Sequence, residues 1–353
     1  MKRVLLVGGG HAHVRMLVGL AENPLYGSRM ALVSPTRRQI YSAMLPGVIA
    51  GHYARDEAEF DLAELAARAS VDYVPASIIG FDAAKKTATL DDGQEVHFDF
   101  ASLNAGSTLA LDVPGAKEHA LPVKPFETLV DRLRHVSHVA IAGGGAAGVE
   151  LAMALRHRGG EVTVYSERAG FAPELARRVE RAVRRRGVDF RPGMRIDAIE
   201  AGPVIVSGTS RQQFDLVLWA TGPAPLPWLA TSGVALDERG FVRVNETLRS
   251  VSHPHVFAVG DCAGLDEPKS GVLAVRHGEV LEQNFRHLVE GTPLVNYEPD
   301  ARALMLLSCG ARYAIAARGT WSAEGRWAWW WKNWIDRRWL RELKGKARSE
   351  ASS

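Results

Sequence analysis

The sequence predicts an α/β protein built from two similar wound units, one inserted in the other, with a tryptophan-rich tail. Three observations carry that expectation. Two glycine-rich turns lie 135 residues apart, Gly8 to Gly143, and each follows a short apolar run. Two later runs end in similar small-residue turns, Asn104-Ala105-Gly106 and Ala220-Thr221-Gly222. Seven of the nine tryptophans fall between Trp321 and Trp339, outside both units.

The first unit opens with Val4-Leu5-Leu6-Val7 running into Gly8-Gly9-Gly10. The second opens with Val139-Ala140-Ile141-Ala142 running into Gly143-Gly144-Gly145 and a helical pattern through Leu155. A short apolar run closed by glycine reads as a buried strand. Strand, tight turn and helix together lay a pyrophosphate on the helix N-terminus, where unpaired amides and the helix dipole favour an anion. One copy is a weak signal; two copies predict two dinucleotides, one a flavin and the other a nicotinamide.

Each remaining element follows from local pattern. Met30–Val33 is a strand ending at Ser34-Pro35, and a loop carries Tyr41 to Gly47. A helix is expected from about Leu62 to Ala69, then strands at Val71–Pro75, Ser77–Phe81 and Thr87–Leu90, with Asp92-Gly93 as a hairpin turn. Phe98 to Leu103 forms the strand before Asn104. The second unit repeats the layout, with a strand at Val162–Tyr165 and a helix from about Glu174 to Arg186 stopped by Gly187. Its arginines read as a solvated face. Phe214–Trp219 closes the second unit, and Val256–Val259 runs into Gly260-Asp261. The simplest topology gives a discontinuous unit from 1–115 and 231–301, an inserted unit over 116–230, and a C-terminal element over 302–353.

Composition narrows the class. At 353 residues there is room for two or three cores, and 46% apolar with 24% charged residues is ordinary for a globular chain. A net charge of +3 is too small to imply nucleic acid. Cys262 and Cys309 are the only cysteines, which excludes a disulfide framework and fits a reducing compartment. Met1-Lys2-Arg3 leads directly into the first strand, and no stretch reaches the roughly 18–20 apolar residues that span a bilayer. The expected location is the cytoplasm, or the cytoplasmic face of a membrane as a peripheral protein.

In this order, the motifs resemble the pyridine nucleotide-disulfide oxidoreductase superfamily, and within it the type II NADH dehydrogenases. The narrower likeness is to a branch sometimes fused ahead of selenophosphate synthetase. It rests on Gly8 to Val14, on Tyr41-Ser42-Ala43-Met44-Leu45-Pro46-Gly47, and on Trp331-Lys332-Asn333-Trp334-Ile335-Asp336-Arg337-Arg338. The resemblance implies two Rossmann-like dinucleotide-binding domains, the NAD(P) domain inserted in the FAD domain. It also implies FAD as cofactor and NADH or NADPH as co-substrate.

Site residues follow from both sources. Gly8, Gly9, Gly10, His11, Ala12 and His13 form the first turn, with His13 where the third glycine of the fingerprint normally allows close helix–strand packing. His11 and His13 are expected to pack locally or face phosphate, not to bind a metal, and no metal site is expected. Ser34 stands where an acidic residue usually holds the ribose, a substitution the resembling families tolerate. The resemblance gives Gly260 and Asp261 the ribityl and pyrophosphate part of FAD, with Gly106 and Gly222 at the two strand-end turns. Gly143, Gly145 and Gly148 complete the second fingerprint, and Glu150 is implied to orient the nicotinamide, though it also sits where a helix dipole favours a carboxylate. Ser166 fills the usual acidic place beside Glu167 and Arg168; Glu167 favours NADH, whereas Ser166 with Arg168 suits NADPH, and the balance of the expectation is towards NADH. Pro46 and Lys124 are candidate neighbours of the isoalloxazine, Lys124 for stabilising its anionic reduced form.

Negative evidence sharpens the chemistry. Disulfide reductases of the superfamily carry a Cys-x4-Cys pair in the first domain, and no cysteine precedes Cys262 here. Electrons must therefore leave the flavin directly for a diffusible acceptor. Type II dehydrogenases place an Ala-Gln-x-Ala-x-Gln-Gln segment beside the quinone. The matching stretch, Gly271 to His277, keeps Ala274 but has Arg276 and His277 for the closing glutamines. Those two residues are expected to polarise a quinone carbonyl, with His277 as proton donor, or to mark a different oxidant.

In the tail, Trp327, Trp330, Trp331, Trp334, Ile335, Trp339 and Leu343 recur at helical spacing, with Lys332, Asn333, Asp336, Arg337 and Arg341 largely elsewhere. Eight Lys/Arg against four Asp/Glu lie between Trp321 and Ser353. Indoles beside cations suit an anionic membrane surface; packing on the flavin domain or on a second subunit, as in a homodimer, is the other reading. The expected function is an FAD-dependent NAD(P)H oxidoreductase that passes hydride to flavin and electrons to a quinone. Two rivals stand beside it: a flavin reductase with a soluble acceptor in selenium or sulfur metabolism, and a non-catalytic nucleotide or flavin sensor.

Overall fold

The computed structural model describes residues 1–168, 170–300 and 302–345. Its centre is a pair of five-stranded parallel sheets with the same layout. In the first, the order across the sheet is Val256–Ala258, Phe100–Leu103, Lys2–Val7, Ser28–Val33 and Asp72–Val74. In the second it is Ala120–Pro122, Leu216–Trp219, His138–Ala142, Glu161–Ser166 and Asp189–Pro192. Every neighbouring pair is parallel, and the strand feeding each glycine turn is central. Central parallel strands are covered on both faces, so they read as unbroken apolar runs; Val4 to Val7 and Val139 to Ala142 are all buried.

The chain leaves the first sheet after Phe100–Leu103, builds the whole second sheet, and returns to the first through Val256–Ala258. This is the inserted arrangement the sequence implies. The duplication runs further than the two sheets. Each carries a three-stranded antiparallel meander between its third strand and its closing strand, Ile78–Asp82 with Thr87–Leu90 and Glu95–His97, and Ala198–Glu200 with Val204–Ser207 and Ser210–Gln213. The expected turn after Asp92 is present, with Gly93 at φ +85°, a conformation glycine adopts without steric cost.

Small residues let two helices of the first unit meet. His11–Glu22 lies against Gly271–Glu290, and a Cβ on Gly278 would fall 2.3 Å from the Ala12 carbonyl oxygen. That contact places the long helix beneath the first glycine turn.

The tail holds more than a helix. Met305–Ser308, Ala314–Arg318 and Trp321–Gly325 form an antiparallel sheet, followed by the helix Arg326–Leu343. This hairpin covers part of the arginine face expected to be solvated: Arg185 pairs with Glu324 at 2.6 Å, and Arg178 Nε donates to Ser322 Oγ at 2.9 Å.

The helix corrects the expected division of faces. Trp327, Trp330, Trp331 and Trp334 are outside, and Arg337, Arg338 and Arg341 are exposed with them. Ala328, Trp329, Lys332, Asp336, Leu340 and Leu343 are buried, while Ile335 and Trp339 are half-buried. Lys332 and Asp336 can lie inside because each neutralises the other: Lys332 Nζ donates to Asp336 Oδ2 at 2.6 Å and to the Ala43 carbonyl at 2.7 Å. A buried charge is tolerable only when paired and hydrogen-bonded. Residues 346–353 lie outside the described residues.

Candidate active site

Both glycine turns are steric cradles. Gly8 has φ +90°, and a Cβ there would sit 2.4 Å from Ala105 Cα; on Gly10 it would sit 2.4 Å from Asn104 Oδ1. Gly143 has φ +118°, and a Cβ there would sit 2.3 Å from the Ala220 carbonyl oxygen. Gly145, by contrast, faces open space, so the backbone can be approached closely there. Gly148 must be glycine, because a Cβ would lie 2.0 Å from Gly143 O.

The turns differ in what their amides do. At the first helix, Asn104 Oδ1 accepts from Ala12 N and His13 N, each at 3.1 Å, while Asn104 Nδ2 donates to the Val259 carbonyl. Asn104 thus ties the turn to the returning strand, a role the sequence reading did not assign. Only the strand-end contrast of Asn104 with Ala220 hinted at it. His13 occupies the third-glycine position by folding inward: Nδ1 meets Gly8 O at 2.6 Å and Nε2 meets Ser102 Oγ at 2.8 Å. Burial brings its pKa down to about 4, so the ring is neutral and packs. At the second helix, Ala146, Ala147 and Gly148 have no acceptor for their amides among the described residues. Thr221 Oγ1, beside Gly143, is buried with no partner among them. Unpaired donors at a helix N-terminus and an orphaned hydroxyl fit a bound nucleotide diphosphate. At the first turn, the amides of Gly9 and His11 remain for the same purpose.

Lys124, from the inserted segment, and Asp261, from the returning strand's end, meet at 3.0 Å. Ser107 Oγ donates to the same Asp261 oxygen at 2.7 Å and accepts from Lys124 Nζ at 3.0 Å. Burial works to raise the Asp261 carboxyl, but the Lys124 charge and these hydrogen bonds outweigh it and hold it ionised below the usual range. His11 lies within reach of their charges; burial lowers its pKa, with Lys124 adding and Asp261 opposing, and Ser42 Oγ meets its Nε2 at 3.1 Å. The group is polar, charged and half-open, which suits the hydroxyls and phosphate of an FAD chain. Neighbouring Cys262 donates to Gly106 O, and burial pushes its thiol up to about 12.

Ala274 faces Gly260, 3.5 Å from where a Cβ on Gly260 would be, as the helix register requires. Arg276 and His277 correct the acceptor expectation. His277 is buried under the Gly260 turn, its Nδ1 accepting from Gly260 N at 2.9 Å and its Nε2 meeting Glu267 Oε1 at 2.6 Å. Both ring nitrogens are committed, so it orients the Gly-Asp turn instead of donating to an acceptor. Arg276, one residue earlier on the helix, points outward and pairs with Asp300 at 2.5 Å. Successive helical positions diverge by about a quarter-turn or more, so the pair could not both face one carbonyl.

Glu150 is placed by the second helix against the tail. Ser308 N, at the end of the first tail strand, donates to Glu150 Oε1 at 2.7 Å. Burial pushes its carboxyl up to about 7, with Lys332 and the Ser308 amide opposing and Asp336 adding. The inner face of the tryptophan helix therefore sits electrostatically beside the helix Ala146–His157 of the second glycine turn. Lys332 also holds Ala43, in the Tyr41–Gly47 loop where Pro46 is buried in the short helix Leu45–Ile49. Ser308, Lys332 and Asp336 were missed as site residues, because only the fold brings residues 43, 150, 308 and 332 together.

Just past the strand Ser28–Val33, Ser34 is buried and its carbonyl accepts from Tyr73 OH at 2.8 Å. Ser166 is buried beside Gly144, and Glu167 is exposed. Gly106 and Gly222 face open space at the two strand ends. Both cysteines are free and buried, and burial pushes Cys309 up to about 12 as well. No group of three or more metal-binding side chains occurs among the described residues.

Comparison with known proteins agrees with this geometry. The chain matches the pyridine nucleotide-disulphide oxidoreductase family over residues 2–278 and belongs to it. It is an oxidoreductase that takes FAD and NADH or NADPH. Among curated proteins it is 27% identical to ferroptosis suppressor protein 1 of Xenopus tropicalis, over 67% of this chain and 69% of that one. It is 24% identical to the NADH dehydrogenase-like protein YutJ of Bacillus subtilis, over 85% of this chain and 87% of that one. Among solved structures, the sulfide:quinone oxidoreductase of Aquifex aeolicus superposes with a TM-score of 0.82 at 16% identity, covering 98% of this chain and 92% of that one. NDH2 of Plasmodium falciparum, in complex with NADH, gives 0.78 at 13%, covering 98% of both. These two share the fold.

Proposed function

We propose that this oxidoreductase takes hydride from NAD(P)H and delivers electrons to a quinone while resting on a membrane surface. The observation that carries the reading is the two-sided tail helix. Its inner residues Lys332 and Asp336 reach the Glu150 neighbourhood, and its outer face presents Trp327, Trp330, Trp331 and Trp334 with Arg337, Arg338 and Arg341. Tryptophan and arginine together suit the headgroup layer of an anionic bilayer. No described helix is long and apolar enough to cross a membrane, so contact would be with the surface.

On this reading the units divide at 1–115 with 231–301, 116–230 and 302–353. When bound, FAD supplies the hydride and electron chemistry. Asp261, Lys124 and Ser107 hold its chain, the Gly143 turn holds the nicotinamide nucleotide, and Glu150 orients the nicotinamide end. With no dithiol in the site, the acceptor must approach the flavin itself, as the quinone named for the similar Aquifex aeolicus enzyme would allow.

The test is anaerobic reduction of the flavoprotein by NADH or NADPH, followed by a short-chain quinone. Prompt reoxidation is expected; a flavin that stays reduced sinks the quinone acceptor. Co-sedimentation with phosphatidylglycerol vesicles tests the surface, with Trp330→Ser/Trp334→Ser losing it. Equal sedimentation of variant and parent would remove the membrane part.

A further inference from the structure

The strand beside the second glycine turn ends in a distinctive way. The strand Glu161–Ser166 lies parallel beside His138–Ala142, with Ala142 opposite Tyr165, so Ser166 stands level with the start of the Gly143 turn. Ser166 is 4% exposed and fills the space against that turn, its Oγ 2.1 Å from where a Cβ on Gly144 would be. Its hydroxyl donates to the Arg168 carbonyl at 2.9 Å. Gly170 lies against the turn: a Cβ on it would fall 2.6 Å from Gly144 O and 2.7 Å from Gly145 Cα.

The strand therefore ends on a buried, hydrogen-bonded serine and not on a carboxylate. Glu167 lies just past the end of the strand and is exposed. The Ser166–Arg168 bond holds the Arg168 backbone beside Ser166. Arg168 is exposed and has no ion-pair partner among the described residues. A carboxylate at Ser166 would bind ribose hydroxyls and repel a phosphate. A committed hydroxyl does neither, and a free guanidinium matches phosphate geometry.

We propose that Ser166 and Arg168 make this site selective for a 2′-phosphorylated adenosine, so that the chain prefers NADPH to NADH. The proposal rests on the Gly143 turn being the nicotinamide-nucleotide site. It extends the reading above by naming which coenzyme that site selects.

The experiment compares 2′,5′-ADP with 5′-AMP binding to the FAD-loaded protein by calorimetry, then compares kcat/KM for NADPH and NADH. One charge-assisted bond in a partly exposed place gives about a tenfold preference for the phosphorylated ligands. Arg168→Ala should bring both ratios close to one, and Ser166→Asp should reverse them. Arg168 is exposed, so its variant tests the idea even if Ser166→Asp fails to fold. Equal or tighter binding of 5′-AMP by the parent protein overturns the proposal. Failure of both adenosine ligands to bind, and of both coenzymes to reduce the flavin, would instead strike the nicotinamide reading beneath it.

Discussion

The two glycine turns of this chain share a strand, a bend and a helix, yet they offer a ligand different things. The first is largely closed by its own protein: Asn104 takes two first-turn amides and His13 takes the Gly8 carbonyl. The second leaves three first-turn amides and the Thr221 hydroxyl without partners among the described residues. Asn104 stands where the second unit has Ala220, and His13 where it has Gly148. The glycines set how close a ligand may come, while residues elsewhere in the fold set how many donors remain to greet it. In the first unit that loss is offset by Asp261, Lys124 and Ser107, gathered from three segments.

The strongest way to break this comparison is to spoil each cradle in turn. Gly8→Ala places a methyl group against Ala105 in a left-handed backbone and should yield protein without yellow colour. Gly143→Ala places one against Ala220 and should yield yellow protein whose flavin neither coenzyme bleaches anaerobically. Both are read by visible absorbance. Identical outcomes from the two variants would deny the division of labour.

Next in size is Asp336→Ala, which strands Lys332 in the interior. Removing one member of a buried pair costs about 3–5 kcal/mol, measured as a lowered urea midpoint. Lys332→Met with Asp336→Leu should recover most of it. Recovery of stability without recovery of hydride transfer would separate the pair's packing role from its electrostatic influence on Glu150.

Glu150 sharpens the comparison by pH. Its carboxyl is raised from 4.5 to about 7, chiefly by burial. A raised carboxyl favours the protonated folded form, so its contribution to stability is full below 4.5 and is lost as pH rises through about 7. Urea midpoints between about pH 5 and 8 should fall less steeply in Glu150→Gln than in the parent. Parallel profiles would show that Glu150 is solvated.

The smallest expected effect belongs to Asn104→Ala. It frees two helix amides, making the first turn resemble the second, and costs about 1 kcal/mol as a lost cap. A loss near zero would mean that solvent replaces Asn104 without penalty.

How far the sequence could be read follows the same division. The parallel strands were legible because a strand covered on both faces must be apolar throughout, as Val4–Val7 and Val139–Ala142 are. The turns were legible because Gly8 and Gly143 adopt backbone angles closed to other residues. The antiparallel sheet of the tail was not, since Met305–Ser308 and Ala314–Arg318 lack a clean alternation of apolar and polar residues.

By itself, then, the order of residues determined the two wound units, their glycine cradles and the clustering of tryptophan, because backbone geometry and burial act locally. Only the tertiary structure decided the rest. Helical spacing cannot say which side of Arg326–Leu343 faces inward, and a pairing partner for Lys332 reversed the simple answer. Arg276 and His277 looked like partners for a ligand until the fold gave one to Asp300 and the other to Gly260 and Glu267. Charged and polar side chains are satisfied by whatever the fold brings near them, and for Lys332 those neighbours are both Asp336, one helical turn away, and Ala43, 289 residues away.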